Sequence, residues 1–472
     1  MRKPNTETIR IAKNALELAL GQGRVLDDKH ILEKYAVDET SDLMALPDLV
    51  FMPLNTDEVC AALRVCNEFD FPVTPRGAGS GVTGGALATT GGLVISMEKM
   101  DRIIEIDAEN MTAVVEPGAI TADVQNAALK EGLLYPPDPA SLDRSSIGGN
   151  VSENAGGMTA VKYGTTKDYL LGLECVLANG ELIRIGGKTV KNVMGYNISG
   201  LIAGSEGTLA VITKLYLRLI PQPVASLDML IPFSSLNNAI DAVYKILKSR
   251  IIPTTLEFME ADAIALTRDH LKTEMPFPDA EAHLLVRLDG SSADILHRDV
   301  DKILNTLELT QTNIRLAESD QQKEAIWKAR RSIRDSIQKK SPVFLAEDCS
   351  VPRSKIPEFL KSLKEYLSSE GLRSIMFGHA GDGNVHIDVL KGDMEYKVWQ
   401  EMLPGLKSEI YRRAINLGGS ITGEHGIGYL RKNYIPLAMS KEEIELHRQI
   451  KKAFDPKGIL NPGKLIPEKE PS

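Results

Sequence analysis

Apolar positions along this chain recur with two periods. Near the start, Ile9, Ala12, Leu16 and Leu20 share one face at helical spacing, which predicts an amphipathic surface helix. Lys13, Asn14 and Glu17 interrupt that stretch, so it does not read as the apolar core of a secretory signal. A strand, a helix and a strand follow. Residues 48–53 are extended and apolar. Asn55 with Glu58 three positions later forms a capping-box-like start for a helix through Phe69, and 72–75 is a short strand. Further strands are predicted over 93–97 and 113–115, and a helix over 121–131. Segments 170–177 and 182–185 flank Ala178, Asn179, Gly180 and Glu181, a hairpin signal. After Pro221-Gln222-Pro223 the texture changes. Helical stretches at 236–250, 321–339, 356–369, 396–417 and 441–454 alternate with short strands, which predicts a second, mixed α/β domain.

Composition narrows the classes. At ~150 residues per domain, 472 residues make about three domains or subdomains. Hydrophobic residues at 43% and charged residues at 25% are ordinary for a globular protein and unlike a disordered one. The net charge of −9 lacks the basic excess that nucleic-acid binding requires. No stretch approaches the ~18 uninterrupted apolar residues of a transmembrane helix. Cys60, Cys66, Cys175 and Cys349 form no C-x-x-C pair, so neither an internal iron–sulfur cluster nor a zinc ribbon is expected. Cys60 and Cys66 on one helix would stand ~240° apart and could not bridge. A reducing cytoplasm fits, with peripheral membrane association left open.

Two glycine clusters carry the first candidate chemistry. Gly79-Ser80-Gly81-Val82-Thr83-Gly84 matches G-x-G-x-x-G, but a dinucleotide fold needs a helix to open there, and here the next element is a strand. What remains is an anion nest of backbone N–H groups with Arg76 beside it. The bland alternative is a hairpin loop that needs positive φ at several positions. A second cluster at 148–157 favours ligand binding. In the other half, Phe377 to His386 and Gly423 to Gly428 hold three of the eight histidines. The glycines around Asp382 forbid a continuous helix. Residues 375–377 and 385–390 instead read as two strands joined by a tight turn, which brings His379 towards His386. With Glu424 they make a His₂Glu set suited to zinc, manganese or iron with positions left open. His425 beside it suits a general base. The competing reading is two satisfied core histidines and a Glu-His turn.

These pieces carry a resemblance. Pro75 to Gly81, Pro136-Pro137-Asp138, Ile147 to Asn150, Asn154 to Gly157, Tyr163-Gly164 and Gly204 to Thr208 resemble, over about 45–222, the flavin-binding half of the vanillyl-alcohol-oxidase/p-cresol-methylhydroxylase (PCMH) family. The histidine segments, and the tail Asp455 to Pro462, are similar to those of its FAD-linked D-2-hydroxyacid dehydrogenases, of the D-lactate dehydrogenase and glycolate oxidase FAD-subunit type. The resemblance implies an α+β protein: a two-subdomain PCMH-type FAD-binding fold plus a mixed α/β substrate (cap) domain with an antiparallel sheet. The expected divisions are a helical segment 1–44, the FAD-binding domain 45–222, the cap domain 223–454 and a tail 455–472 returning to the FAD domain. The cofactor residues implied are Arg76, Gly77, Ala78, Gly79, Ser80, Gly81, Thr83, Pro137, Asp138 and Ser141. To these it adds Gly148, Gly149, Asn150, Asn154, Gly156, Gly157, Tyr163, Gly164, Glu206, Gly207, Ile212 and Asn461. The only histidine before position 222 is His30, outside the motifs, so FAD is expected to be non-covalent. In the relatives the positions of His379, His386 and Glu424 bind a divalent metal, and that of His425 contacts substrate as base.

The implied chemistry is metal-assisted oxidation of a 2-hydroxy acid to a 2-oxo acid, with hydride passing to flavin N5. Arg330, which follows Trp327 at the relatives' spacing, is the expected carboxylate partner. Arg334 would share its helix face four residues on, although a solvated face with Asp335 as partner explains it equally well. Relatives acting on 2-hydroxyglutarate have lysine, threonine and asparagine where this chain has Ala346, Arg334 and Asp388. A second-carboxylate clamp is therefore altered, and a short monocarboxylate is expected, D-lactate first and glycolate second. With no cluster ligands and no nicotinamide fingerprint, family habit points to an electron-acceptor partner, an electron-transfer flavoprotein or an iron–sulfur subunit. The rival readings are D-2-hydroxyglutarate oxidation, a metal-dependent hydrolase, a non-redox FAD protein and a subunit that only relays electrons.

Overall fold

The computed structural model describes residues 3–272 and 276–467. Met1, Arg2 and 468–472, the ends of the predicted N-terminal segment and tail, lie outside the described residues. The chain forms two compact units. The first is Met1–Ala155, Thr165–Gln222 and Glu424–Ser472, and the second is Gly156–Gly164 and Pro223–Gly423.

In the first unit the predicted amphipathic helix forms over Thr6–Leu20. The Asn5 side chain caps it, accepting from Thr8 N–H at 2.9 Å. Ala12 and Leu16 are fully buried, in one core with Leu49, Phe51, Leu63 and Cys66. Each large aliphatic or aromatic side chain so buried contributes about 1.5–3 kcal/mol. A four-stranded sheet runs in the order Val25–Leu26, Leu49–Phe51, Leu93–Ser96, Val73–Arg76, the last three strands parallel. The intervening helix is Thr56–Glu68. Asn55 accepts from Glu58 N–H at 3.0 Å, but the Glu58 carboxylate accepts from Leu54 N–H and from Arg24, so only half of the expected capping box exists. Cys60 and Cys66 on this helix are buried free thiols. The chain end extends the sheet edge: Val73 N–H donates to Ile459 O at 2.8 Å, and Asn461 N–H donates to Val73 O at 2.7 Å.

A second sheet of the first unit has five antiparallel strands, Ile103–Asp107, Thr112–Val115, Val211–Arg218, Leu170–Val176 and Leu182–Gly186. The predicted hairpin closes here, with Val176 opposite Leu182. The strand Ile103–Asp107 carried no readable signal. It is an edge strand whose Ile104 and Glu105 are exposed, so its apolar alternation is broken. The second glycine cluster is also more ordered than expected. Ser146 caps a short helix, Ile147–Glu153, and Asn154 ends it in the left-handed region at φ 55°.

The second unit is built on a seven-stranded antiparallel sheet in the order Arg315–Ala317, Ala225–Phe233, Ala282–Gly290, Thr255–Glu260, Arg373–His379, Asn384–Leu390, Phe344–Ser350. Two of these strands are nine residues long, not short as expected. The predicted helix over 321–339 is corrected to two, Asp320–Arg331 and Ile333–Lys340, which meet at Ser332. Ser332 has ψ 0° and serves as C-cap of one helix and N-cap of the next. Arg330 and Arg334 therefore do not share one continuous helical face.

Candidate functional site

The two glycine clusters meet within the first unit. Residue 77 has no room for a side chain, because a Cβ there would stand 2.3 Å from Ser146 Oγ and 3.5 Å from the Gly149 backbone. Gly79 has φ +76°, and a Cβ there would fall 2.1 Å from Arg76 Nη2, so the guanidinium folds back over a residue that must be glycine. Arg76 is buried, donates from Nη2 to Val37 O at 2.9 Å, and keeps Nη1 unpaired among the described residues. Burial pulls its pKa down and the nearby Asp38 opposes that. The backbone N–H groups of Ala78, Gly79, Ser80 and Gly81 donate to no protein group among the described residues. An orphaned buried guanidinium N–H beside open backbone donors is what a pyrophosphate would satisfy. As expected, no helix opens after the loop; the next element is the strand Leu93–Ser96. The residues therefore fit FAD without the dinucleotide-fold arrangement.

Other expected cofactor positions have structural tasks. Asn150 Nδ2 donates to Thr121 Oγ1 at 2.7 Å, Asn154 Oδ1 accepts from Lys167 N–H at 3.0 Å, and Pro137 O accepts from Gln125 at 2.9 Å. Asn461 clasps Gly85 O and Glu206 O at 2.9 and 2.7 Å. Ser141 O accepts from Ser145 N–H at 2.7 Å, Gly148 N–H donates to Pro117 O at 2.8 Å, and Ile212 pairs with Cys175 on the five-stranded sheet. Glu206, between Gly204 and Gly207 and itself at φ 51°, accepts from Ile427 and Gly428 N–H at 2.8 and 2.7 Å. It thereby holds the loop that carries His425. Thr83 holds the same loop from another side, its Oγ1 donating to His425 O at 3.4 Å and its O accepting from Tyr429 N–H at 2.8 Å. Gly156, Gly157, Tyr163 and Gly164 belong to the segment that packs with the second unit, where Tyr163 OH donates to Asp289 at 2.9 Å.

The histidine hairpin forms as expected. His379 ends one strand, His386 lies two pairs further along its neighbour opposite Phe377, and both are buried. Their Nε2 atoms face each other at 3.4 Å. Glu257, directly opposite His379 on the adjoining strand, takes His379 Nδ1 at 2.5 Å. A carboxylate there fixes the proton on Nδ1 and leaves the Nε2 lone pair directed at His386. Gly423 N–H and Thr422 Oγ1 both donate to Asp348, at 2.7 and 3.2 Å, which fixes the peptide leading to Glu424. Ligand atoms of His379, His386 and Glu424 all lie within 4.8 Å of one another. Two imidazoles and a carboxylate so oriented fit a divalent ion of the zinc, manganese or iron class.

The expected substrate residues sit on the same sheet and the broken helix. Arg330 is buried, with Nε and Nη2 at 2.9 and 2.7 Å from Glu257 Oε2 and its guanidinium 4.7 Å from the Phe377 ring centre. Arg334 Nη1 pairs with the fully buried Asp388 at 3.0 Å, and not with Asp335. Ala346 stands opposite Asp388 across the strands. Sequence reasoning missed Glu257 and Asp348. The available signal was an acid inside an otherwise apolar strand, which a fold tolerates only with a partner. It also missed a buried group in the first unit: Glu153 beside Glu206, with Lys464, whose pKa burial lowers to about 7.

Comparison with known proteins agrees with this architecture. The profile of the FAD linked oxidases, C-terminal domain, matches residues 222–465, and that of an FAD binding domain matches 47–186. The glycolate oxidase subunit GlcD of Bacillus subtilis (strain 168) is 40% identical over 433 residues, 92% of either chain. The D-lactate dehydrogenase of Anaerostipes hadrus is 36% identical over 449 residues, 94% of either chain. The solved structure of p-cresol methylhydroxylase with substrate bound has the same fold, with a TM-score of 0.80 at 18% identity, over 98% of this chain and 97% of that one. With an FAD-binding fold of the p-cresol-methylhydroxylase type and a C-terminal domain that the family profile spans from end to end, the chain belongs to the FAD-linked oxidases and is a flavin-dependent oxidoreductase.

Proposed function

We propose that this protein oxidises a short D-2-hydroxy acid, D-lactate first, to the 2-oxo acid, with a divalent metal on His379, His386 and Glu424 and non-covalent FAD as oxidant. The observation that carries the reading is the facing pair of imidazole Nε2 atoms at 3.4 Å, one of them held by a carboxylate. Bound FAD supplies a two-electron acceptor, and a divalent ion supplies a Lewis acid that lowers the pKa of a bound hydroxyl. The chain's own residues do the rest. His425 accepts the hydroxyl proton. Arg330, whose Nη1 makes no hydrogen bond among the described residues, orients the substrate carboxylate. Arg76 and the backbone of 78–81 hold the pyrophosphate.

Substrate size follows from the pair Arg334–Asp388. Arg334 Nη1 stands 3.0 Å from the buried Asp388, whose charge offsets it, and the opposing position holds Ala346, which offers no cation to a second carboxylate. Glycolate is the second reading, favoured by the 40% identity to a glycolate oxidase subunit. The electrons then leave to a partner protein, an electron-transfer flavoprotein or an iron–sulfur subunit. The test is anaerobic bleaching of the flavin by a panel of hydroxy acids. D-lactate is expected to bleach it with the highest kcat/KM. D-2-hydroxyglutarate ahead of D-lactate would overturn the size argument, and a purified protein without flavin absorbance would overturn the reading altogether. Rapid reoxidation by oxygen would count against a protein acceptor.

A further inference from the structure

We infer that Glu257 and Arg330 together act as a positioning pair for the metal site: Glu257 fixes the aim of the His379 ring, and Arg330 fixes Glu257. The inference rests on the proposed metal at His379 and His386. Glu257 is fully buried and divides its two oxygens between two partners, Oε1 on His379 Nδ1 at 2.5 Å and Oε2 on the Arg330 guanidinium at 2.9 and 2.7 Å. With each oxygen held by a different buried partner, neither the carboxylate nor the ring it contacts can turn without breaking a buried contact. Register makes the contact obligatory: Glu257 and His379 are direct cross-strand partners, so the carboxylate reaches the ring without a loop or a water. Phe377 lies under the guanidinium at 4.7 Å and against the His386 ring at 5.1 Å. One aromatic side chain thus packs on both the cation and the second ligand.

A second task for Arg330 follows. Nε and one N–H of Nη2 are committed to Glu257, so any contact to a substrate carboxylate is made from the other edge of the guanidinium, by Nη1 and the second N–H of Nη2.

The test is Mn²⁺ affinity of the FAD-loaded protein by chelator competition, with FAD content and melting temperature measured alongside. The variants are Glu257→Gln, the charge-free double variant Glu257→Met/Arg330→Met, and His386→Ala. The double variant removes both buried charges at similar volume, so no unpaired ion is left inside. It is expected to bind Mn²⁺ about 10–100-fold more weakly while retaining FAD, with Glu257→Gln in between. A purely structural pair would lower the melting temperature and leave affinity within about twofold of the parent, which overturns the inference. If the double variant does not fold, Glu257→Gln carries the same comparison. His386→Ala separates the two levels. If it keeps full Mn²⁺ affinity, the metal reading itself fails and this inference with it. If it loses the metal while both Glu257 variants keep it, only the inference fails.

Discussion

Burial and the Glu206 carboxylate hold Glu153 well above the ordinary 4.5, while Glu206, itself raised by burial, accepts from the N–H groups of Ile427 and Gly428. The sign of the linkage is fixed by the direction of the shift. A carboxyl with a raised folded pKa contributes stability that is full below about 4.5 and is lost as pH rises through the folded value. Glu153→Gln cannot ionise, so it is expected to remove this loss: the variant gains on the parent as pH is raised above about 4.5, seen as denaturation midpoints that diverge with pH. Lys464 works in the opposite sense. Its pKa of about 7 against 10.5 means the unfolded chain binds the extra proton, and its contribution to stability rises with pH across that window. Lys464→Met should flatten that rise. At the substrate end, Arg334→Thr with Asp388→Asn removes the Arg334–Asp388 pair without leaving either charge buried alone. The double variant is expected to raise kcat/KM for D-2-hydroxyglutarate relative to D-lactate by about tenfold, the scale of one well-placed charged hydrogen bond; an unchanged ratio would show that the pair does not set substrate size.

Elements with a strong local signal were legible. The helix Thr6–Leu20, the helix after Asn55, the 170–186 hairpin and the histidine hairpin form where their periodicity, caps and turn residues place them. The rejection of a helix after Gly79 also held, because glycines without a following apolar period give no helix nucleus. What failed depended on partners distant in sequence. The edge strand Ile103–Asp107 draws its order from Thr112–Val115, and the break at Ser332 is invisible to a helical period that runs through it. The approach of His379 and His386 was readable from their glycine-flanked hairpin, whereas Glu257 was not, since it lies 122 residues away and reaches His379 only by strand register. The glycine loop yields a direct prediction. Gly79→Ala forces a Cβ onto Arg76 and a left-handed φ onto alanine, at ~1–2 kcal/mol for the backbone alone. FAD affinity should fall at least about tenfold, read by flavin release on dilution.

At the scale of the whole molecule, the chain divides its chemistry between two units: one holds the glycine loops and the orphaned Arg76, and the other holds the imidazole pair and its arginines. Among the described residues no helix is long and apolar enough to cross a membrane, and the four cysteines are buried with no disulfide among them. The proposed metal on His379, His386 and Glu424 would make flavin reduction by a hydroxy acid fast. Stopped-flow bleaching of the flavin by D-lactate under anaerobic conditions tests this, in protein as purified, stripped by chelator, and reloaded with Mn²⁺ or Zn²⁺. A loss of rate of at least about a hundredfold is expected on stripping, from the missing Lewis acid, with flavin retained and the rate recovered on reloading. Equal bleaching by stripped and reloaded protein would contradict it.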